Sequence, residues 1–402
     1  MPWKETCVVD ERMKFIGEYL KQERSMSALC REFGVSRKTG YKLVSRYVSD
    51  GVTGLFDRSR SPRHHPQAVS EDMVSMILSV RDIHPGWGPR KVLAWLCRHR
   101  HRTDWPSAST IGRILARHGR IVPRLHRRRT APYSQPFQSC NRPNDVWCAD
   151  FKGWFRTADR SRCEPLTVTD AFSRYALACR ALPRTTQGLV RPVFEALFRQ
   201  YGLPRAIRTD NGPPFASTAL AGLSSLAVWW IKLGIQPERI DPGCPEQNGR
   251  HERFHRTLKR EVISPPKDTL DQQQAAFDLF CLEYNQERPH EALDGDSPAQ
   301  RYSSSSRAYT TRPPEIAYPD HMTVRKVRPS GQFWWKGTDL FLSEVLVGEL
   351  VALEPIDDRY YQIYFGPLPL AKLDEHKRRL IKPKIKKRRK RCHKTSKVLP
   401  MY

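Results

Sequence analysis

Apolar positions recur at helical spacing along the first 120 residues and change to strand-like alternation after residue 145. Between residues 12 and 48 the pattern predicts two helices separated by Gly34, and Ser36 is placed as the N-cap of the second. This arrangement is typical of a helix-turn-helix.

A second helical block follows a polar linker. Helices are predicted near residues 70–83, 89–101 and 109–118, with Pro89 at a helix start and Ser109 as a cap of the third helix. The block is expected to bind DNA, and a set of simple spacer helices is the plainer alternative.

From residue 145 onward, three short apolar runs divided by turn residues predict an antiparallel meander. Helices and short strands then alternate, which indicates a mixed sheet with helices packed against it. From 322 to 373 the apolar and polar residues alternate again, and this pattern predicts a small β-barrel like an SH3 module. The fold class is therefore multidomain α+β.

The charge balance adds a partner to this picture. Lys and Arg total 69 against 42 Asp and Glu, a net charge of +27, which is typical of a protein that binds a polyanion. Nucleic acid is the first partner to expect. The predicted DNA-contacting residues of the helical blocks are Arg37, Lys38, Lys42, Arg46, Arg113 and Arg117.

Composition shifts divide the chain into eight segments. They are a helix-turn-helix domain (1–56), a linker (57–69), a second helical DNA-binding domain (70–119), a basic linker (120–144), a mixed-sheet core (145–302), a linker (303–321), an SH3-like barrel (322–375) and a basic disordered tail (376–402). Twelve of the nineteen residues from 376 to 394 are Lys or Arg.

Two further patterns bear on location. No apolar run approaches the roughly 18 residues of a membrane-spanning helix, and the first residues lack a signal-peptide core. The ten cysteines stand singly with no CxxC pair, as expected of reduced thiols. The sequence predicts a cytoplasmic, nucleoid-associated protein that does not bind membranes.

Three acids lie at strand-end or helix-face positions. Asp150 lies in VWCADFKG, Asp210 in AIRTDNGPPF and Glu252 in a basic helix that follows a Pro- and Gly-containing loop. Carboxylate oxygens suit the hard cation Mg²⁺, and phosphodiester chemistry uses metal ions to stabilise the attacking and leaving oxygens. These acids suggest a metal-dependent phosphoryl-transfer site.

Five motifs resemble the retroviral-integrase-like transposases of bacterial insertion elements. They are W-x-x-D-x-K at Trp147, Asp150 and Lys152, VTDAFSR at 168–174, TDNGPPF at 209–215, NGRHERFHRTLK at 248–259 and NQERPHEAL at 285–293. The motifs cover roughly residues 145–302 and keep the family's order.

The resemblance implies a ribonuclease-H-like core in which Asp150, Asp210 and Glu252 hold two Mg²⁺ ions, with Mn²⁺ able to substitute. It implies a transposase that binds terminal inverted repeats, cleaves 3′ ends and joins them to target DNA, as a homo-oligomer in the synaptic complex. Lys152, Arg256 and Lys259 are then expected to contact DNA.

Other interpretations remain open. Asp170 could be a ligand, although a turn-capping role is more typical of the DAFSR context. Residues 251–255 fit H-E-x-x-H, which on a helix would indicate a zinc metalloprotease, but basic flanks oppose a dication there. A catalytically silent DNA-binding regulator derived from a transposase is the third interpretation.

Overall fold

A computed structural model of the protein describes residues 7–59, 68–100, 102–121, 140–217, 220–240 and 249–381. Contacts divide the chain into two compact units, Met1–Ser70 and Glu71–Tyr402. Parts of the expected linkers 57–69 and 120–144, of the tail 376–402 and of the loop before Glu252 lie outside the described residues.

The first unit is a three-helix fold, which contains the two helices that the sequence predicts and one more before them. Its helices are α1 (Val8–Leu20), α2 (Met26–Glu32) and α3 (Arg37–Asp50). Ser36 caps α3 by accepting a hydrogen bond from the Thr39 N–H, and Gly34 turns the chain with a positive φ of 65°. Phe15, Leu29 and Leu43 are buried in the unit's own core, so both the helices and the turn of the predicted helix-turn-helix are confirmed.

Gly40 packs α3 against this core. A Cβ at Gly40 would lie 2.6 Å from the Cys30 Sγ atom, whereas a Cβ at Gly17 on α1 would meet nothing within 4 Å. We expect Gly40→Ala to destabilise residues 1–70 by about 1–3 kcal/mol through overpacking, and the matched Gly17→Ala to stabilise them by about 0.5–1 kcal/mol. Thermal unfolding of the 1–70 fragment measures both changes. Equal unfolding temperatures for the two variants would contradict this packing.

The second unit begins with a helical module of α4 (Glu71–Ile83), α5 (Pro89–His99) and α6 (Ala108–Arg117). The expected cap at Ser109 is wrong, because Ser109 lies inside the first turn of α6. Ser107 caps α6 instead, accepting from the Thr110 N–H. Arg98 donates to the Gly295 carbonyl oxygen at 2.7 Å, and the His84 ring lies 2.8 Å from the Glu283 carboxylate, so the module packs on the core that follows.

The core has a mixed sheet. Its strands are β1 (Val146–Phe151), β2 (Phe155–Arg156), β3 (Arg162–Asp170), β4 (Ala176–Leu182), β5 (Ala206–Thr209) and β6 (Gln236–Arg239). The order is β2-β3-β1-β5-β6, with β4 also paired to β3. β1, β3 and β4 are antiparallel, whereas β5 is parallel to both β1 and β6. The predicted meander and mixed sheet are confirmed; β2 was not predicted.

Helices cover both faces of this sheet. They are α7 (Gln187–Tyr201), α8 (Ser225–Lys232), α9 (Gly249–Leu258), α10 (Leu270–Gln286) and α11 (Pro298–Arg301). α7 and α8 bury Phe194, Phe198 and Trp230 against one face. α9 and α10 bury Phe254 and Phe277 against the other. This second face carries the candidate site.

The C-terminal strands are β7 (Thr323–Lys326), β8 (Gln332–Trp335), β9 (Thr338–Phe341), β10 (Leu350–Pro355), β11 (Tyr360–Phe365), β12 (Leu368–Asp374) and β13 (Arg379–Ile381). They form an open five-stranded antiparallel sheet, β13-β12-β11-β10-β7, and a separate β8–β9 hairpin.

A closed SH3-like barrel is therefore not found among the described residues. The sheet and α8 share one hydrophobic cluster, which contains Val228 and Ile231 of α8 and Val351 and Ile363 of the sheet. Packing on α8 covers apolar surface that a barrel would bury within itself. The first described residues of the tail expected to be disordered from 376 form a turn and then β13, which pairs with β12. In the part of the chain that the structure describes, no helix is long and apolar enough to cross a bilayer.

Candidate active site at the carboxyl ends of the central strands

Asp150 and Asp210 come from neighbouring parallel strands. β1 and β5 pair in parallel, and the last pair in their register is Ala149 with Thr209. Asp150 and Asp210 each follow that pair by one residue. The register therefore brings the two acids side by side at the same end of the sheet, although 60 positions separate them in the sequence.

Both acids lie on the face that α9 covers. Side chains alternate across a strand, and Trp147, Ala149 and Ile207 belong to the core on the α7 and α8 side. Asp150 and Asp210 have the opposite parity, so they face the other side. Both are half-buried. A Cβ at Gly212 would lie 2.9 Å from the Asp210 Oδ2 atom, so the small residue in the TDNG turn leaves room for the carboxylate.

Glu252 is supplied by α9, which is strongly amphipathic. Its buried residues are His251, Phe254, His255 and Leu258, whereas Glu252 is exposed in the first turn. Phe254 packs edge-to-face on Tyr284 of α10, with ring centroids 5.0 Å apart. The Arg250 guanidinium donates to the Ala171 carbonyl oxygen at 2.9 Å. These contacts fix the helix that carries Glu252 against the edge of the sheet.

Two buried histidines join α9 to β3. The Nε2 atoms of His251 and His255 lie 2.6 and 2.7 Å from the Thr167 Oγ1 atom, and His251 Nδ1 lies 3.1 Å from the Thr169 Oγ1 atom. Thr167 also donates to the Asp150 carbonyl oxygen at 3.0 Å. A hydroxyl has one proton, so once Thr167 donates to Asp150 it accepts from both imidazoles, which are then neutral Nε2–H tautomers.

Burial acts in the same direction. It lowers the pKa of His251 to about 3 and that of His255 to about 2, with a smaller contribution to His255 from neighbouring His251 and Lys152. Both rings are therefore uncharged at neutral pH. They hold α9 at a defined height over β3, directly beside Asp150.

Asp150, His251 and His255 lie close enough together to share a metal ion, because one ligand atom of each lies within 4.8 Å of the others. Among the described residues this is the one such group of three or more His, Cys, Asp or Glu side chains. Asp210 and Glu252 are not members of it. The fold thus places Asp150 and Asp210 side by side at the ends of β1 and β5, on the face that α9 covers, and leaves Glu252 exposed on α9 outside this group. Their hard oxygen donors and open, half-exposed setting fit a cation that retains water ligands, as Mg²⁺ does.

Asp170 has a structural role, as the sequence favours. It is fully buried and accepts hydrogen bonds from the Asn144 N–H at 2.8 Å, the Ser173 N–H at 2.7 Å and the Ser173 hydroxyl at 2.6 Å. Burial raises the pKa of Asp170, although these hydrogen bonds act in the opposite direction. Asp170 pairs with Trp147, so alternation places it on the opposite face from Asp150.

The predicted DNA-contacting residues lie on accessible surfaces. Arg37, Lys38, Lys42, Arg113, Arg117, Arg256 and Lys259 are exposed, while Arg46 and Lys152 are half-buried. Lys259 begins a π-helical turn, Lys259–Ile263, that continues α9. Glu252 and Arg256 share the exposed face of α9 at i,i+4 spacing.

Two groups of the second unit are not apparent from the sequence. The partnership of His251 and His255 with Thr167 joins residues more than 80 positions apart, so no local pattern reveals it. Lys91 on α5 is the second: burial first, and then the positive charge of Arg288, lowers its pKa to about 7. A lysine in an amphipathic helix gives no sign of such an environment.

Comparison with protein families decides what this core is. Two models described as "Integrase core domain" match residues 140–245 and 233–298, the region that contains all three acids. The chain carries an integrase core domain. Models of a helix-turn-helix domain and a homeodomain-like domain match residues 11–63 and 39–115. The predicted combination of N-terminal helix-turn-helix domains with an integrase core of ribonuclease-H-like fold is confirmed.

Curated relatives are insertion-element proteins. The chain is 35% identical over 170 residues to the "Insertion element IS476 uncharacterized 39.2 kDa protein" of Xanthomonas euvesicatoria, covering 41% of this chain and 46% of that one. It is 31% identical over 174 residues to the "Insertion element IS407 uncharacterized 31.7 kDa protein" of Burkholderia multivorans, covering 42% and 59%. It is 26% identical over 301 residues to the "Transposase InsD for insertion element IS2-9" of Escherichia coli, covering 70% and 92%.

The chain thus spans about half the length of the first two relatives. Together with the two integrase models, these matches show that the chain is similar to insertion-element transposases with an integrase-like core. The zinc-protease interpretation gains no support, because Glu252 lies on the exposed face of α9 while both histidines of the H-E-x-x-H pattern are buried.

Proposed function

We propose that this protein binds the terminal inverted repeats of a mobile element, cleaves their 3′ ends and joins them to target DNA in a reaction that depends on divalent metal ions. The observation that carries the proposal is the register of β1 and β5 inside the integrase core. It sets Asp150 and Asp210 side by side on the face covered by the helix of Glu252.

In this proposal Asp150, Asp210 and Glu252 hold two Mg²⁺ ions, for which Mn²⁺ can substitute. When bound, such ions activate the attacking oxygen and stabilise the leaving oxygen of a phosphodiester. Asp150 is assigned to both ions because β1 is central in the sheet, between β3 and β5. Arg256 and Lys259 continue the exposed side of α9 beyond Glu252 and are placed to contact the DNA end, with Lys152 beside His255.

Recognition of the repeat is assigned to the N-terminal helices. α3 presents Arg37, Lys38 and Lys42 on an exposed face, as a recognition helix in a major groove requires. α6 presents Arg113 and Arg117 for a second contact. A homo-oligomer would bring two element ends together, and the protein would act at the nucleoid in the cytoplasm.

Replacing both Lys38 and Lys42 by alanine is expected to weaken binding to the repeat and to flatten its salt dependence. Each lost phosphate contact lowers the slope of log Kobs against log salt by about one. The control is Lys21→Ala, an exposed lysine just after α1 whose charge is paired with Glu18 at 2.6 Å. Fluorescence anisotropy with repeat and random duplexes between low and high salt measures both. An unchanged slope in the double variant would show that α3 does not bind DNA.

The activity itself is tested by incubating the full chain with labelled duplexes taken from the inverted repeats that flank its gene, together with a target plasmid and Mg²⁺. Strand transfer covalently attaches the label to the plasmid. A folded, repeat-binding protein that attaches no label in Mg²⁺ or Mn²⁺ would favour the silent-regulator interpretation instead.

A further inference from the structure

The cluster formed by Asp150, His251 and His255 is not used by the proposed chemistry, apart from Asp150. His251 and His255 lie on the buried face of α9 at i,i+4 spacing, with ring centroids 4.6 Å apart. The basic residues that the sequence sets against a dication, Arg253 and Arg256, lie on the exposed face of the helix, away from this cluster. One ligand atom of each of the three residues lies within 4.8 Å of the others. We propose that these residues form a site for a borderline divalent cation such as Zn²⁺, which competes with Mg²⁺ for Asp150.

The distances suit such a cation after a small adjustment. Zn–N and Zn–O bonds of about 2.0–2.1 Å in a tetrahedron place neighbouring ligand atoms about 3.4 Å apart. Closing the cluster from its present spacing needs side-chain shifts of about 1 Å. Three protein ligands would leave the fourth position to water.

Hydrogen bonds already orient both imidazoles for metal binding. Both Nε2 atoms converge on the Thr167 Oγ1 atom, and the ion would replace this hydroxyl as their common partner. Each imidazole binds the ion through Nε2 once its proton moves from Nε2 to Nδ1, and on His251 the Nδ1–H then donates to the Thr169 hydroxyl. Because both side chains are buried and fixed, binding costs little further conformational entropy.

The donor set separates the two cations. Two imidazoles and one carboxylate suit Zn²⁺ or Co²⁺, whereas three carboxylates with water suit Mg²⁺. Asp150 belongs to both sets, so one ion excludes the other from that carboxylate. Metal binding at this cluster does not depend on the proposed strand transfer; only the resulting inhibition does.

Cobalt is the probe for this site because four-coordinate Co²⁺ absorbs visible light. The chelator-treated full chain is titrated with Co²⁺ in the absence of DNA. We expect one equivalent to bind with the visible bands of four-coordinate cobalt and without the near-ultraviolet band of a cobalt thiolate. Added Zn²⁺ should displace the bound Co²⁺. A thirtyfold excess of Mg²⁺, an amount on the order of that used in activity assays, should not displace it.

Variants locate the ion. Asp150→Asn and His255→Gln should each lose the visible bands, and His255→Gln keeps an amide able to bond Thr167 if His255→Ala fails to fold. The matched variants Asp210→Asn and Glu252→Gln should keep them. The proposal is overturned if the visible bands persist in a folded Asp150→Asn or His255→Gln protein, or if they are lost in Asp210→Asn. It is also overturned if the folded wild type shows a thiolate band or does not bind Co²⁺. None of these results depends on strand transfer, which the wild type in Mg²⁺ tests separately.

Discussion

Asp150→Asn and Asp210→Asn are each expected to abolish strand transfer while leaving binding to the terminal repeat intact. Asparagine keeps the shape of the side chain but removes the charge that a divalent cation requires. We expect the rate to fall at least about 1,000-fold, which corresponds to roughly 4 kcal/mol of lost transition-state stabilisation. Repeat binding should be unchanged because the exposed basic residues of α3 lie in the other compact unit.

Glu195→Gln is the matched control for these variants. Glu195 lies on α7, which packs on the opposite face of the sheet, and its carboxylate contacts Arg191 and Arg199 on the surface. It should retain full strand transfer. Full activity in Asp150→Asn or Asp210→Asn would remove the acid from the proposed site, and loss of repeat binding in either would point to general misfolding.

Asp170→Asn is expected to destabilise the core rather than to alter its chemistry. The Asp170 carboxylate now accepts hydrogen bonds from the Asn144 N–H, the Ser173 N–H and the Ser173 hydroxyl. The asparagine amide would place an N–H group opposite one or more of these donors, which would then lose their acceptor. Leaving such buried donors without acceptors costs about 3–5 kcal/mol. For a core of this size the loss lowers the unfolding temperature by about 10 °C or more.

The comparison with Asp150→Asn makes this result specific. Asp150 and Asp170 lie on paired strands, but on opposite faces, and only Asp170 is fully buried. Differential scanning calorimetry of the full chain should show a large drop for Asp170→Asn and little change for Asp150→Asn. A stable Asp170→Asn protein that has lost only strand transfer would mean that Asp170 takes part in the chemistry.

The central sheet could be predicted from sequence because its signals are local. Alternating apolar runs around Trp147 and Ile207 define strands whose ends carry Asp150 and Asp210, and the two family motifs name those acids. The sequence could not give the register of β1 with β5, which depends on hydrogen bonds between segments 60 positions apart. That register is what turns two separated acids into neighbours.

Features that depend on tertiary packing escaped prediction. His251 and His255 look like part of a zinc motif in a single helix, and only the fold shows that Thr167 on β3 joins them. Likewise, alternation after residue 322 predicts strands correctly but cannot tell a closed barrel from an open sheet packed on Ile231 of α8. In both cases the deciding partner lies far away along the chain.

The central claim is that Asp150 is a metal ligand in DNA strand transfer, and a metal-specificity switch tests it most directly. In Asp150→Cys, a thiolate replaces a hard oxygen donor. Mg²⁺ binds a thiolate poorly, whereas Mn²⁺ tolerates it better. Strand transfer by this variant and by the wild type is measured in Mg²⁺ and in Mn²⁺. We predict a wild type active in both ions and a variant that is inactive in Mg²⁺ and regains activity in Mn²⁺. A variant as active as the wild type in Mg²⁺ would contradict metal ligation by Asp150.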